Sequence, residues 1–184
     1  MIRGILLAGG ASTRFGSPKL LHPYADGLAL GAYTARKVIA GVGNALAVVR
    51  AGDDELAAQL RASGCEVVVS ERSREGMGAS LAAGVGATRD ASGWIVALAD
   101  MPRIELATYG AITQALQGGA RLVVPVTRDA GERGHPVGFS AAYGEELCAL
   151  QGDEGARSIL SRHASDVLAI PVDDSGILFD IDRP

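Results

Sequence analysis

Apolar residues along this chain fall into short continuous runs, separated by stretches with helical spacing. The runs Ile2–Ala8, Ala45–Val49, Cys65–Val69, Trp94–Ala99 and Arg121–Val126 predict five strands. They are apolar at successive positions, so side chains on both faces of each strand must be buried. β-branched residues dominate Cys65–Val69, which favours a strand there. Between the runs, Leu28–Ala40 predicts a helix, with Leu28, Ala32, Ala35 and Ile39 near helical spacing. Asp53 is placed as the N-cap of a helix carrying Leu56, Ala57 and Leu60. Gly78–Thr88 and Ile104–Gln117 are two further expected helices. Strands alternating with helices predict an α/β fold of three layers, a mostly parallel sheet covered on both sides. Leu20–Asp26 is expected to be a connector containing Pro23. Beyond Thr127 the pattern is less regular. A polar loop is expected at Arg128–Gly134 and a short strand at Val137–Ser140. Helices are expected at Ala142–Leu150 and Gly155–His163, and late strands at Val167–Val172 and Ile177–Ile181. No repeat, low-complexity tract or linker divides the chain, so residues 1–184 are expected to form one domain.

Composition narrows the functional classes. A chain of 184 residues can bury a core without disulfide or metal staples. Its 48% hydrophobic and 21% charged residues suit a globular protein. The net charge of −4 argues against a nucleic-acid-binding surface, which is normally basic. Aromatic residues make up 4% of the chain, too few for base-stacking platforms. The two cysteines, Cys65 and Cys148, fit neither a zinc spacing nor a redox C-x-x-C, and are expected to behave as small hydrophobes. Ile2–Ala8 is too short for a signal peptide, and no apolar stretch reaches membrane-spanning length. A cytoplasmic protein is the expectation.

The chemistry is concentrated where the first strand ends. Leu6-Leu7-Ala8-Gly9-Gly10-Ala11-Ser12-Thr13-Arg14-Phe15-Gly16-Ser17-Pro18-Lys19 runs from the strand into a glycine-rich loop with two cations. Gly9 and Gly10 allow a ligand close to the backbone, and free N–H groups in such loops form anion-binding concavities. Arg14 offers a planar fork and Lys19 a point charge for phosphate oxygens. A plain strand-to-helix turn with surface cations would have the same composition. The P-loop pattern fails because Ser17 and Pro18 separate Gly16 from Lys19, and G-x-G-x-x-G fails because Gly9 and Gly10 are adjacent. Asp100 ends the strand Trp94–Ala99, where it can hold Mg²⁺ beside a nucleotide phosphate or cap the next helix. Asp180 and Asp182 fall on one face of the expected last strand, or in a solvated tail. Ser80, in Gly76-Met77-Gly78-Ala79-Ser80-Leu81, can donate to or accept from a base edge, or bond its own helix backbone. His135, before Pro136, can contact phosphate or acceptor, or hold a turn. His22 and His163 lack supporting neighbours and are expected at the surface.

The first-loop stretch resembles the signature L-A-[AG]-G-x-S-x-R-[FM]-G-x-x-K of the MobA-like nucleotidyltransferases, with every fixed position filled. Ala97-Leu98-Ala99-Asp100-Met101-Pro102 resembles the family's metal-binding segment. Phe179-Asp180-Ile181-Asp182-Arg183-Pro184 resembles its D-I-D-T-P ending, with Arg183 where Thr is usual. Gly76-Met77-Gly78-Ala79-Ser80-Leu81 and Gly134-His135-Pro136-Val137-Gly138-Phe139 resemble segments of the molybdenum cofactor cytidylyltransferases. Gly152-Asp153-Glu154-Gly155-Ala156-Arg157 resembles the family's G-D-x-G-A-R. The connector His22–Leu28 departs from the family, because no Pro follows Gly27. Leu7-Ala8-Gly9-Gly10 matches the guanylyl branch instead, so the two base-choosing segments disagree.

The resemblance implies a Rossmann-like nucleotide-diphospho-sugar transferase fold. It implies transfer of CMP from CTP to molybdopterin, with pyrophosphate released. It also implies nucleotide binding by Leu7, Ala8, Gly9, Gly10, Arg14, Lys19, Gly78 and Ser80. Catalytic roles fall to Arg14, Lys19 and Asp100, and Mg²⁺ to Asp100 with Asp182, or Asp180 in its place. Acceptor contacts fall to His135, Asp153 and Arg157. A molybdoenzyme or its chaperone is the implied protein partner. The alternatives are a guanylyl or sugar-phosphate nucleotidyltransferase and, in another class, a non-catalytic nucleotide-binding or cofactor-delivery module.

Overall fold

The computed structural model describes residues 1–9 and 18–182. In chain order the elements are β1 (Ile2–Leu7), β2 (Pro23–Ala25), β3 (Leu28–Ala29), α1 (Leu30–Val42), β4 (Leu46–Arg50), α2 (Asp54–Ala62) and β5 (Glu66–Ser70). They continue with α3 (Met77–Gly86), β6 (Gly93–Leu98), α4 (Leu106–Gln117), β7 (Leu122–Thr127), β8 (Val137–Ser140), α5 (Gly144–Cys148), α6 (Arg157–Arg162) and β9 (Val167–Val172). Seven strands form one sheet in the order β5-β4-β1-β6-β8-β7-β9. β8 runs antiparallel to both its neighbours, and the remaining pairs are parallel.

The apolar runs become strands because each face of the sheet has its own helical layer. Leu6, Ala47 and Ile95 pack on one side with Val38 of α1, Leu60 of α2 and Ile112 of α4. Ile5, Val48 and Val96 pack on the other with Leu81 of α3, Leu147 of α5 and Ile159 of α6. Truncating such fully buried side chains costs about 2–5 kcal/mol each. These contacts therefore hold the carboxyl ends of β1 and β6 as rigid platforms. Trp94 is fully buried, and its indole N–H donates to Thr88 Oγ1 at 3.0 Å. Cys65 is buried and Cys148 half-buried, both as free thiols. Burial pushes the Cys65 thiol up to about 11, as for a small core hydrophobe.

Several boundaries depart from the sequence expectation for local reasons. The connector folds into the β2–β3 hairpin, because Asp26 and Gly27 adopt φ of 53° and 70°, as a tight two-residue turn requires. α1 consequently starts at Leu30. Asp53 holds the N-cap position of α2, but its side chain accepts from Arg50 Nε at 3.3 Å instead of capping the helix. The polar segment after β7 is a bonded turn. Thr127 N–H donates to Glu132 O, and Glu132 N–H to Thr127 Oγ1.

The largest departure is at 177–181, which is not a strand. Ser175–Leu178 forms a 3-10 turn, started by Asp174, whose side chain accepts from Gly176 N–H at 2.9 Å. Ile177 is fully buried, so its apolar character serves the core rather than the sheet.

Candidate active site

Hydrogen bonds on both sides fix where β1 ends. Ala8 N–H donates to Val48 O at 3.0 Å, and Ala99 N–H donates to Leu7 O at 3.1 Å. Leu7, Ala8 and Gly9 therefore leave the sheet between the ends of β4 and β6. A Cβ on Gly9 would lie 3.1 Å from Ser80 Oγ and 3.2 Å from Ser73 Cβ. The first loop thus begins against the start of α3. Gly10 and Arg14 lie outside the described residues.

Lys19 opens a short 3-10 turn, Lys19–Leu21, and its ammonium reaches the end of β6. Lys19 Nζ lies 2.8 Å from Asp100 Oδ2 and 3.7 Å from Asp182 Oδ1. The Lys19 side chain is 12% exposed and that of Asp182 57%. Asp100 does not cap the following helix. α4 starts later, with Glu105 at its N-cap. Ile181 N–H donates to Asp100 O at 3.0 Å, which brings Asp182 beside Asp100 without a strand. The shared ammonium keeps the two carboxylates inside the ~8 Å beyond which one octahedral Mg²⁺ could not join them. Among the described residues, no group of three or more His, Cys, Asp or Glu side chains is arranged to hold a metal. A cation here would therefore have two protein carboxylates and take its other ligands from water and phosphate.

The segments around Ser80 and Asp153, far apart in sequence, meet at the start of α3. Gly76 has φ of 138°, and a Cβ there would strike Asp153. Gly78 N–H and Ala79 N–H both donate to Gly152 O, at 2.9 and 3.3 Å. Met77 N–H points to Asp153 Oδ1 at 3.4 Å. The N–H of Gly78 is therefore already bonded, and its missing Cβ lets the 152–154 loop approach. Ser80 is buried and donates to Gly76 O at 3.2 Å, which leaves its oxygen able to accept. Arg157, at the start of α6, is exposed; its carbonyl accepts from Ser161 Oγ at 3.0 Å, and its guanidinium makes no ion pair or hydrogen bond with a described residue.

His135 is tied to the C-terminal segment, its N–H donating to Ile177 O at 2.9 Å. Its Nδ1 is buried without a partner among the described residues. Burial pushes the imidazole below its ordinary 6.5, opposed by the Asp100 carboxylate and the Val96 backbone. The unfolded chain therefore takes up this proton more readily than the folded one. The stability this represents is complete above pH 6.5 and is lost as the pH falls through the lower folded value. Urea unfolding of the ligand-free protein should show a larger loss between pH 7 and pH 5 in the wild type than in His135→Asn. Equal losses would contradict this burial effect.

Two neighbours of the first loop carry no motif. Arg50, at the end of β4, has its Cγ 3.5 Å from the Gly9 Cβ position. Ser73 is 3% exposed, and its Oγ has no partner among the described residues. A place at the end of a parallel strand, or three residues past one, is the only sequence signal either offers. His163 is not isolated, because its Nε2 lies 2.9 Å from Glu146 Oε1 and its ring meets Tyr143 edge-on. Among the described residues, no helix is long and apolar enough to cross a membrane.

Known proteins and solved structures resemble this chain over almost its whole length. The chain is 28% identical to nicotine blue oxidoreductase of Paenarthrobacter nicotinovorans, over 98% of its own length and 92% of the relative's. The crystal structure of Rv0371c from Mycobacterium tuberculosis superposes with a TM-score of 0.84 at 30% identity, covering 99% of this chain and 92% of that one. A complex of Rv0371c with manganese superposes with a TM-score of 0.77 at 25% identity, covering 93% and 88%. The model of the MobA-like NTP transferase domain matches residues 4–167, from β1 to the first residue of β9. With the parallel sheet and the carboxylates at its carboxyl end, that match places the chain in the MobA-like NTP transferase family.

Proposed function

We propose that this nucleotidyltransferase of the MobA-like type moves CMP from CTP to the phosphate of a molybdopterin acceptor. The observation that carries the reading is the meeting of Lys19, Asp100 and Asp182 beside the start of the first loop. Two carboxylates already arranged about one ammonium are hard oxygen donors, a set that fits a divalent cation such as Mg²⁺. The manganese complex of Rv0371c supports a divalent ion in a relative of this fold. Asp100 and Asp182 would hold such an ion, which would supply charge neutralisation at the phosphates.

The chain's own residues then orient the reaction. The backbone of Leu7, Ala8, Gly9 and Gly10 approaches the nucleotide, and Lys19 with Arg14 neutralises the triphosphate. Ser80 accepts from the base edge, beside Gly78. His135, Asp153 and Arg157 face the acceptor. A phosphate oxygen of the acceptor attacks the α-phosphorus, and the bond from that phosphorus to the β-bridging oxygen breaks. Its electron pair leaves with pyrophosphate. No side chain becomes covalently attached, so the protein acts by positioning and electrostatics.

CTP is preferred over GTP in this reading because the segments around Ser80 and His135 both resemble the cytidylyl branch. A site built for one base edge leaves polar groups unpaired against the other, at about 1–3 kcal/mol each. That is roughly fivefold to more than a hundredfold in selectivity. Incubation of the purified protein with molybdopterin and either CTP or GTP, with the dinucleotide product resolved by chromatography, tests it. The cytidine product should predominate. Predominance of the guanosine product would assign the protein to the guanylyl branch and make Gly9-Gly10 the deciding segment. A sugar-phosphate acceptor that reacts where molybdopterin does not would overturn the acceptor.

A further inference from the structure

We propose that Asp174 is a positioning residue for Asp182, clamping the segment that carries this carboxylate to the connection that carries Asp100. The inference rests on the proposed metal site. Asp174 is 4% exposed and lies beyond β9, away from every sequence motif. Its Oδ2 accepts from Glu105 N–H at 2.8 Å and from Thr108 Oγ1 at 2.6 Å, and its Oδ1 from Gly176 N–H at 2.9 Å. Such a buried carboxylate is held in one orientation by its three donors. The N-cap of α4, Glu105, makes no side-chain cap of its own, so Asp174 supplies the anion at that helix start.

The clamp is the first of a row of contacts between the same two pieces of chain. A Cβ on Gly176 would strike Arg103 O, so only glycine allows this approach. The Arg103 guanidinium lies 3.7 Å over the Phe179 ring. Ile181 N–H then donates to Asp100 O, one residue before Asp182. Asp182 itself is 57% exposed, and its ion pair with Lys19 is long at 3.7 Å. Its position is therefore set by its backbone, and the backbone by this row. Residues 100–105 and 174–182 act as one unit that presents both carboxylates together. Loss of Asp174 frees the start of the row and leaves three donors unpaired.

The test measures Mn²⁺ binding to the full chain without nucleotide, by electron paramagnetic resonance of the free ion. Asp174→Asn should weaken Mn²⁺ binding about tenfold, the lower end of the range for residues that orient metal ligands. Thr108→Val, which removes one donor, should move the affinity in the same direction by less, and Thr108→Ser should restore it. In an Asp182→Asn background, Asp174→Asn should add no further loss, because it acts through Asp182. Wild-type affinity in folded Asp174→Asn, or full additivity with Asp182→Asn, overturns the clamp while leaving the metal site standing. If Asp174→Asn does not fold, wild-type affinity in Thr108→Val overturns it equally. A wild-type protein that binds no Mn²⁺ overturns the proposed metal site and the clamp with it.

Discussion

Asp100→Asn should lower nucleotidyl-transfer turnover about 10²–10³-fold, the loss typical of removing one preorganised electrostatic group from a reacting centre. The substitution keeps the side chain's shape and removes one charge. It strips Lys19 of its 2.8 Å partner and halves the carboxylate set available to a cation. The fold should survive, because the Asp100 backbone carbonyl still accepts from Ile181 N–H and the strand behind it is buried on both faces. Asp182→Asn should cost less, since Asp182 is more exposed and farther from Lys19. Turnover at saturating CTP and metal, compared with thermal unfolding of the same preparations, checks both. Near-normal turnover in folded Asp100→Asn would remove this carboxylate from the mechanism.

Lys19→Ala has the second largest expected effect. A charge-assisted hydrogen bond to a phosphate is worth roughly 1.5–3 kcal/mol, so nucleotide affinity should fall about tenfold to a hundredfold. Sequence reasoning puts this lysine on the glycine-rich loop as a point charge for phosphate. The structure adds that its ammonium lies between Asp100 and Asp182 and that its side chain is 12% exposed. Without it two carboxylates face each other, which raises their need for another cation. The variant should therefore bind Mn²⁺ in the absence of nucleotide more tightly than the wild type, even while it binds CTP more weakly. Titration calorimetry with each ligand reads the two opposite shifts. Unchanged CTP affinity would take Lys19 out of the phosphate site.

The sheet was legible in the apolar runs because strands covered on both faces have no polar alternation to confuse with surface helices. Their lateral order was not legible. β8 inserts antiparallel between β6 and β7, a pairing made by residues far apart in the chain. The segment 177–181 looks like a strand because Ile177, Phe179 and Ile181 alternate. Its backbone is instead directed by Asp174 and Asp100, which no local pattern encodes. Within the candidate site, residues that sit at strand ends carried their own signal, as Gly9 and Asp100 did. Asp174, Ser73 and Arg50 make contacts that arise only when distant segments meet, and no motif announces them. Asp26-Gly27 is the opposite case. A hairpin turn was written there in two residues, although the hydrophobic pattern around it is silent.

Nucleotidyl transfer releases one pyrophosphate for each product formed, so pyrophosphate release is its direct readout. The purified chain, CTP, molybdopterin and Mg²⁺ should yield pyrophosphate and CMP-linked acceptor in equal amounts, followed by ³¹P NMR. Release should stop when the metal is chelated, and should be nearly abolished in Asp100→Asn. Absence of pyrophosphate with every NTP tested, from a folded protein supplied with metal and acceptor, would rule out nucleotidyl transfer and leave a non-catalytic nucleotide-binding or cofactor-delivery module in its place.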